Sequence, residues 1–159
     1  GNYGSRINPC RCTAQQIQRY RNRLSGPMLD RIDIHVEMGE VGYNDIAGRS
    51  CGEPSSAIRA RVNAARAIQT RRYAGMGILF NAQLTNRMMN QYCVLTSDAE
   101  SLMKKAFAAL KLSARAYTRL LKVSRTIADL AGSEQIKAEH IAEAIQYRSL
   151  ESKYWGEIR

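Results

Sequence analysis

Residues 97–132 read SDAESLMKKAFAALKLSARAYTRLLKVSRTIADLAG, and their periodicity decides the fold. In the first half, Ala99, Leu102, Met103, Ala106, Phe107 and Leu110 recur at helical spacing and make one apolar stripe. Ser97 with Glu100 has the spacing of a capping box, in which two side chains satisfy the free N–H groups of a helix start. A second helix is expected over Ser113–Ala131, its core face marked by Tyr117, Leu120, Leu121, Ser124, Ile127, Ala128 and Ala131. Gly132 stands where a chain leaves a helix through a left-handed residue. A third helix, from about Ala138 to Tyr147, turns Ile141, Ala144 and Ile145 inward. Short connections between three such helices predict an antiparallel bundle, so the expected class is mainly α.

Working outward, Pro54 opens another helix in which Ile58, Val62, Ala65 and Ile68 form the core stripe. Arg59, Asn63, Arg66 and Thr70 lie opposite, a face that either contacts nucleic-acid phosphates or is simply solvated. Gly75 and Gly77 end that segment, and Asn81–Tyr92 reads as a short helix. Upstream, residues 1–12 are irregular, Thr13 caps a helix reaching about Leu24, and Val41–Glu53, with its glycines, reads as a linker. Between these lies SGPMLDRIDIHVEM, residues 25–38: a Gly-Pro turn, then alternation that predicts a half-buried strand with Ile32, Ile34, Val36 and Met38 on one face. Arg31 stands at its mouth, either aimed at a phosphate or paired locally with Asp30 or Asp33.

The two strongest helix starts differ in charge. Asp98 and Glu100 follow Ser97, whereas Arg115 and Arg119 follow Ser113. A cation on the positive end of the helix dipole costs about 0.3–1 kcal/mol and becomes favourable when an anion docks there. Arg115 therefore either extends into water or binds an anion.

The 159-residue chain carries a formal charge of +10, which favours polyanions, with no Lys before residue 81. No apolar run reaches the roughly 18 residues of a membrane span, so the expectation is a cytoplasmic protein without membrane partners. The phosphate-cradling Gly-x-x-x-x-Gly-Lys-Ser/Thr loop is absent, and no strand ends in paired acids. Cys10 and Cys12 make half of a tetrahedral zinc site or are free thiols, while His35 and His140 have no triad or metal-site neighbours.

Four blocks in order, RYRNRLSGPMLDRIDIHVEM (19–38), NAQLTNRMMNQYC (81–93), LSARAYTRLLKVSRTIADLAGSEQI (112–136) and HIAEAIQYRSL (140–150), resemble the C-terminal part of the magnesium chelatase-like AAA+ ATPases of the competence-related ComM/YifB type. The resemblance implies three parts: residues 1–53 as the end of an AAA+ core with one strand, 54–150 as the α-helical lid, and 151–159 as a tail. It places Leu29-Asp30-Arg31 on the arginine finger, which acts in trans on a neighbour's ATP, and Ser113-Ala114-Arg115 on sensor 2. It implies an ATP- and magnesium-dependent homo-oligomeric ring, hexameric in form, that acts on DNA in branch migration. The partners implied are the upstream core, neighbouring subunits and DNA, and this segment alone should neither hydrolyse ATP nor hold a cofactor tightly. An earlier Cys-x-Cys element, expected before Asn2, would complete zinc ligation with Cys10 and Cys12. Two rival readings stay open: the lid of a magnesium chelatase ATPase subunit, and a stand-alone basic helical DNA-binding or adaptor module.

Overall fold

The computed structural model describes residues 1–5, 7–47 and 52–148, so the expected tail at 151–159 and Cys51 lie outside the described residues. Helix α1 spans Ala14–Arg21 and is closed by a complete capping box: Thr13 Oγ1 accepts from the Gln16 N–H and Gln16 Oε1 accepts from the Thr13 N–H. It stops short of Leu24 and buries none of its residues. The Gly-Pro turn is the start of α2, a single turn over Gly26–Leu29 that buries Leu29.

The strand expected over Ile32–Met38 is not formed. These residues run without a ladder, and the intended apolar face is solvent-facing, from 37% exposed at Ile32 to 83% at Met38. Alternation specifies which side chains share a face, but a strand also needs a neighbour for its N–H and C=O groups. Here the His35 N–H donates to the Tyr147 carbonyl at 2.7 Å, so the segment lies on the helices instead. Within the expected linker, α3 forms over Tyr43–Ala47.

Helix α4, Ser55–Arg72, follows Pro54 as expected, yet it buries only Ala65 and Gln69. Ile58 and Val62 remain exposed, because only the C-terminal half of α4 reaches the bundle, where it packs on α7 (Ala114–Leu130). The expected helix over 81–92 is divided into a 3₁₀ turn, Asn81–Gln83, and α5, Asn86–Tyr92, with Thr85 capping the latter.

Helix α6, Ser97–Ala109, is capped by Thr96 and not by Ser97: Thr96 Oγ1 accepts from the Ala99 N–H at 3.4 Å. A short bridge between Leu95 and Ile136, with the Thr96 N–H donating to the Ile136 carbonyl, holds Thr96 at that entry. Glu100 pairs with Lys104 one turn on rather than reaching back. Ser113 caps α7 by accepting from the Ala116 N–H. At its other end Gly132 adopts φ +65°, with Ser133 N–H on the Ala128 carbonyl and Gly132 N–H on Asp129, the two bonds that satisfy a helix C-terminus. Helix α8, Ala138–Gln146, packs against both α6 and α7.

The fold is mainly α, and among the described residues it contains no sheet. Its core joins Met89, Ala99, Met103, Leu120, Leu121, Ile136 and Ile141. Phe107 and Ala131, assigned inward from periodicity, are exposed; Phe107 meets Tyr117 edge-on at the surface. No helix among the described residues is long and apolar enough to cross a membrane.

Candidate functional site

Arg31 follows directly on the end of α2. Its Nη1 donates to the Pro27 carbonyl at 2.6 Å and the side chain is exposed. The local ion pair with Asp30 or Asp33 is not formed, because both carboxylates are engaged elsewhere. Asp30 accepts from Ser113 Oγ at 3.1 Å and lies 3.7 Å from Arg148 Nη2, while Asp33 pairs with Arg119 on α7. Arg148, buried at 3% exposure, also donates to the Ile32 carbonyl at 3.2 Å. With the His35 to Tyr147 bond, residues 30–35 are tied to the start of α7 and to the end of α8.

This tie brings the Arg31 segment beside Arg115. Arg115 lies in the first turn of α7, which has no acidic residue, and among the described residues its guanidinium has no hydrogen-bond or ion-pair partner. It opens a groove of about 490 Å³ whose wall continues along α7 through Arg119 and Lys122. Residues three and four apart share a helix face, so these three cations form one stripe. Lys122 Nζ donates to the Ala82 carbonyl at 2.9 Å, and Asp33 and Glu143 are the carboxylates at the rim. A groove of this kind, with one unengaged guanidinium and one lightly held, suits phosphate oxygens, which planar guanidinium groups bind in pairs of charge-assisted hydrogen bonds.

Arg59 and Arg66 are exposed on α4 and do not line this groove. Arg66 lies over the Phe80 ring at 4.8 Å, a cation–π contact at the surface. Cys10 and Cys12 are free thiols near Gly1, and among the described residues no third ligand joins them into a metal-binding group. A backbone hydrogen bond from Cys12 lowers the Cys10 thiol below its ordinary range, whereas burial pushes Cys93 up to about 11.

Beneath the groove is a polar cluster that periodicity did not single out. Asp129, on the inner face of α7, receives Arg72 Nη1 at 2.9 Å, Asn81 Nδ2 at 2.8 Å and Arg125 Nε at 3.2 Å. Arg125 also donates to the carbonyls of Ser133 and Glu134, and Tyr73 Oη donates to Asn81. Burial raises the Asp129 carboxyl, but the Arg72 and Asn81 hydrogen bonds and the two arginine charges outweigh it, so the group is held below the ordinary carboxylate range. The one sequence signal for this cluster is Arg125 and Asp129 at i, i+4 spacing beside the apolar stripe of α7. Arg119 and Arg148 likewise carry no local mark, since their partners lie far away in the chain.

A mainly helical bundle without a sheet among the described residues is consistent with a helical lid. Residues 52–148 match the family described as Magnesium chelatase, subunit ChlI C-terminal, and residues 1–46 match Magnesium chelatase, subunit ChlI. The chain belongs to this magnesium chelatase-like ATPase family and is of the ComM/YifB kind within it. It is 41% identical over 152 residues to the protein YifB of Salmonella typhimurium, covering 95% of this chain and 29% of YifB. It is 43% identical over 141 residues to Competence protein ComM of Haemophilus influenzae, covering 88% of this chain and 27% of ComM. A Mycobacterium tuberculosis protein is 32% identical over 139 residues, 87% of this chain and 27% of the relative. The chain thus spans less than a third of the length of these relatives.

Proposed function

We propose that this chain is the lid and finger part of a cytoplasmic, ATP- and magnesium-dependent ring motor that acts on DNA, with Arg31 as the trans arginine finger and Arg115 as sensor 2. The observation that carries the reading is the unengaged Arg115 guanidinium in a cationic groove, with the Arg31 segment held beside it through the Asp30–Ser113 hydrogen bond. Arg31 is exposed next to Asp30, and Arg115 lies two residues beyond Ser113, so the Asp30–Ser113 hydrogen bond joins the two arginine-bearing segments. In phosphoryl transfer the charge spreads over the oxygens of the transferred group. An arginine supplied from a neighbour stabilises that charge, by on the order of a thousandfold in rate or more. Family membership supports nucleotide hydrolysis as the activity, and similarity to a competence protein supports DNA as the substrate.

In the full-length protein, Arg31→Ala should abolish ATP turnover while nucleotide binding stays near normal, and Arg115→Ala should impair both. Near-normal turnover in Arg31→Ala would reject the finger role. DNA contact through Arg59 and Arg66 is tested by titration at two salt concentrations: phosphate-driven binding falls steeply as salt rises, and charge removal on α4 should flatten that slope.

A further inference from the structure

The cations of α7 and of the seam between residues 30–35 and the helices differ in how firmly they are held. Arg148 is buried against Asp30 and the Ile32 carbonyl, and Arg125 is buried against Asp129. Breaking such a pair strands a charge away from water, so these contacts maintain shape. Arg119 is different. Its side chain keeps 31% of its exposure and that of its partner Asp33 keeps 52%, and it lines the same groove as Arg115 one helical turn further along α7.

An ion pair this open to solvent is worth little, because water and salt screen it. A guanidinium gains more from a polyphosphate, whose several anionic oxygens accept paired hydrogen bonds, than from one hydrated carboxylate. We propose that Arg119 is a second phosphate-binding residue, held on Asp33 until the triphosphate met by Arg115 displaces that carboxylate. The proposal rests on the sensor 2 reading of Arg115. Its consequence reaches the finger: Asp33 lies two residues beyond Arg31, and its release removes one of the ties between that segment and α7, while the Asp30–Ser113 and Arg148 ties remain. Nucleotide occupancy is thereby reported to the finger segment through a single exchangeable pair.

The test is equilibrium binding of ATP with magnesium to the full-length protein. Arg119→Ala should weaken binding about tenfold, the scale of one charge-assisted contact, and Arg119→Lys should recover part of that loss. Asp33→Asn should tighten binding severalfold, and this gain should vanish in the Arg119→Ala background. An equal Asp33→Asn effect in both backgrounds overturns the proposal. So does wild-type affinity in Arg119→Ala alongside impaired Arg115→Ala. Wild-type affinity in Arg115→Ala instead overturns the sensor 2 reading beneath it. Should Arg119→Ala lower the melting temperature, Arg119→Lys and Asp33→Asn, which keep the fold's buried contacts, decide the matter.

Discussion

Ser113 Oγ donates to Asp30 Oδ2 at 3.1 Å across 83 residues of chain, and the same oxygen accepts from the Ala116 N–H at 3.1 Å. One hydroxyl therefore both caps α7 and ties the Arg31 segment to it. The residue bearing the unengaged Arg115 guanidinium and the one bearing the finger candidate are positioned by a shared group.

Ser113→Ala should lose both roles, about 1–3 kcal/mol in all. Thr96→Ala removes only a cap from α6 and should cost about 1 kcal/mol. Urea unfolding of the two variants compares them directly. A Ser113→Ala loss no larger than that of Thr96→Ala would show that the tie to Asp30 contributes nothing.

Removing the Asp129 carboxylate strands Arg125 and Arg72 with no anion between them. Asp129→Ala should destabilise by about 3–5 kcal/mol. The Asp129 carboxyl sits below its ordinary value of 3.8 in the fold, so the folded state binds fewer protons there than the unfolded chain. Its contribution is complete above that value and is lost as pH falls through the lowered folded value. Acid titration of stability should show this loss in the native protein and its absence in Asp129→Asn.

His140 Nδ1 accepts from the Lys137 N–H at 3.0 Å, a role only the neutral ring can fill, and burial lowers its pKa from the ordinary 6.5. The associated stability is present above 6.5 and declines as pH drops through the lowered folded value. His140→Gln keeps an acceptor at the same helix position without titrating. Denaturant midpoints at pH 7.5 and at pH 5 (about the range over which an ordinary histidine titrates) should move closer together in that variant. An unchanged gap would remove His140 from the acid response.

Thiol chemistry should separate the cysteines. Cys10 is partly exposed with a lowered pKa, and Cys93 is buried with its pKa raised to about 11, so an alkylating reagent at mildly alkaline pH should modify Cys10 in the native protein and spare Cys93. Mass mapping of the modified peptides measures this. Cys93 should react only after the bundle is unfolded.

Helical regularities were legible wherever the signal is local. The stripe of Leu120, Leu121, Ile127 and Ala128, the Ser113 cap and the Gly132 stop all depend on residues within a turn or two of one another, and each is where the pattern put it. The Ser97 cap was misplaced by one residue because the bridge from Leu95 to Ile136 sets the entry to α6. Ile58 and Val62 have a core stripe's spacing, yet the bundle ends before it reaches them. Ile32–Met38 has a strand's alternation, yet without a neighbouring strand in the described residues its backbone goes to α8.

The amino-acid order alone therefore determined the class of fold and the course of the inner helices, because periodicity and capping are written within a few neighbouring residues. Only the tertiary structure decided which carboxylate holds which guanidinium. Asp33 meets Arg119 from 86 positions away and Asp129 meets Arg72 from 57. Pairing over such separations depends on how the helices pack, and no local pattern encodes it.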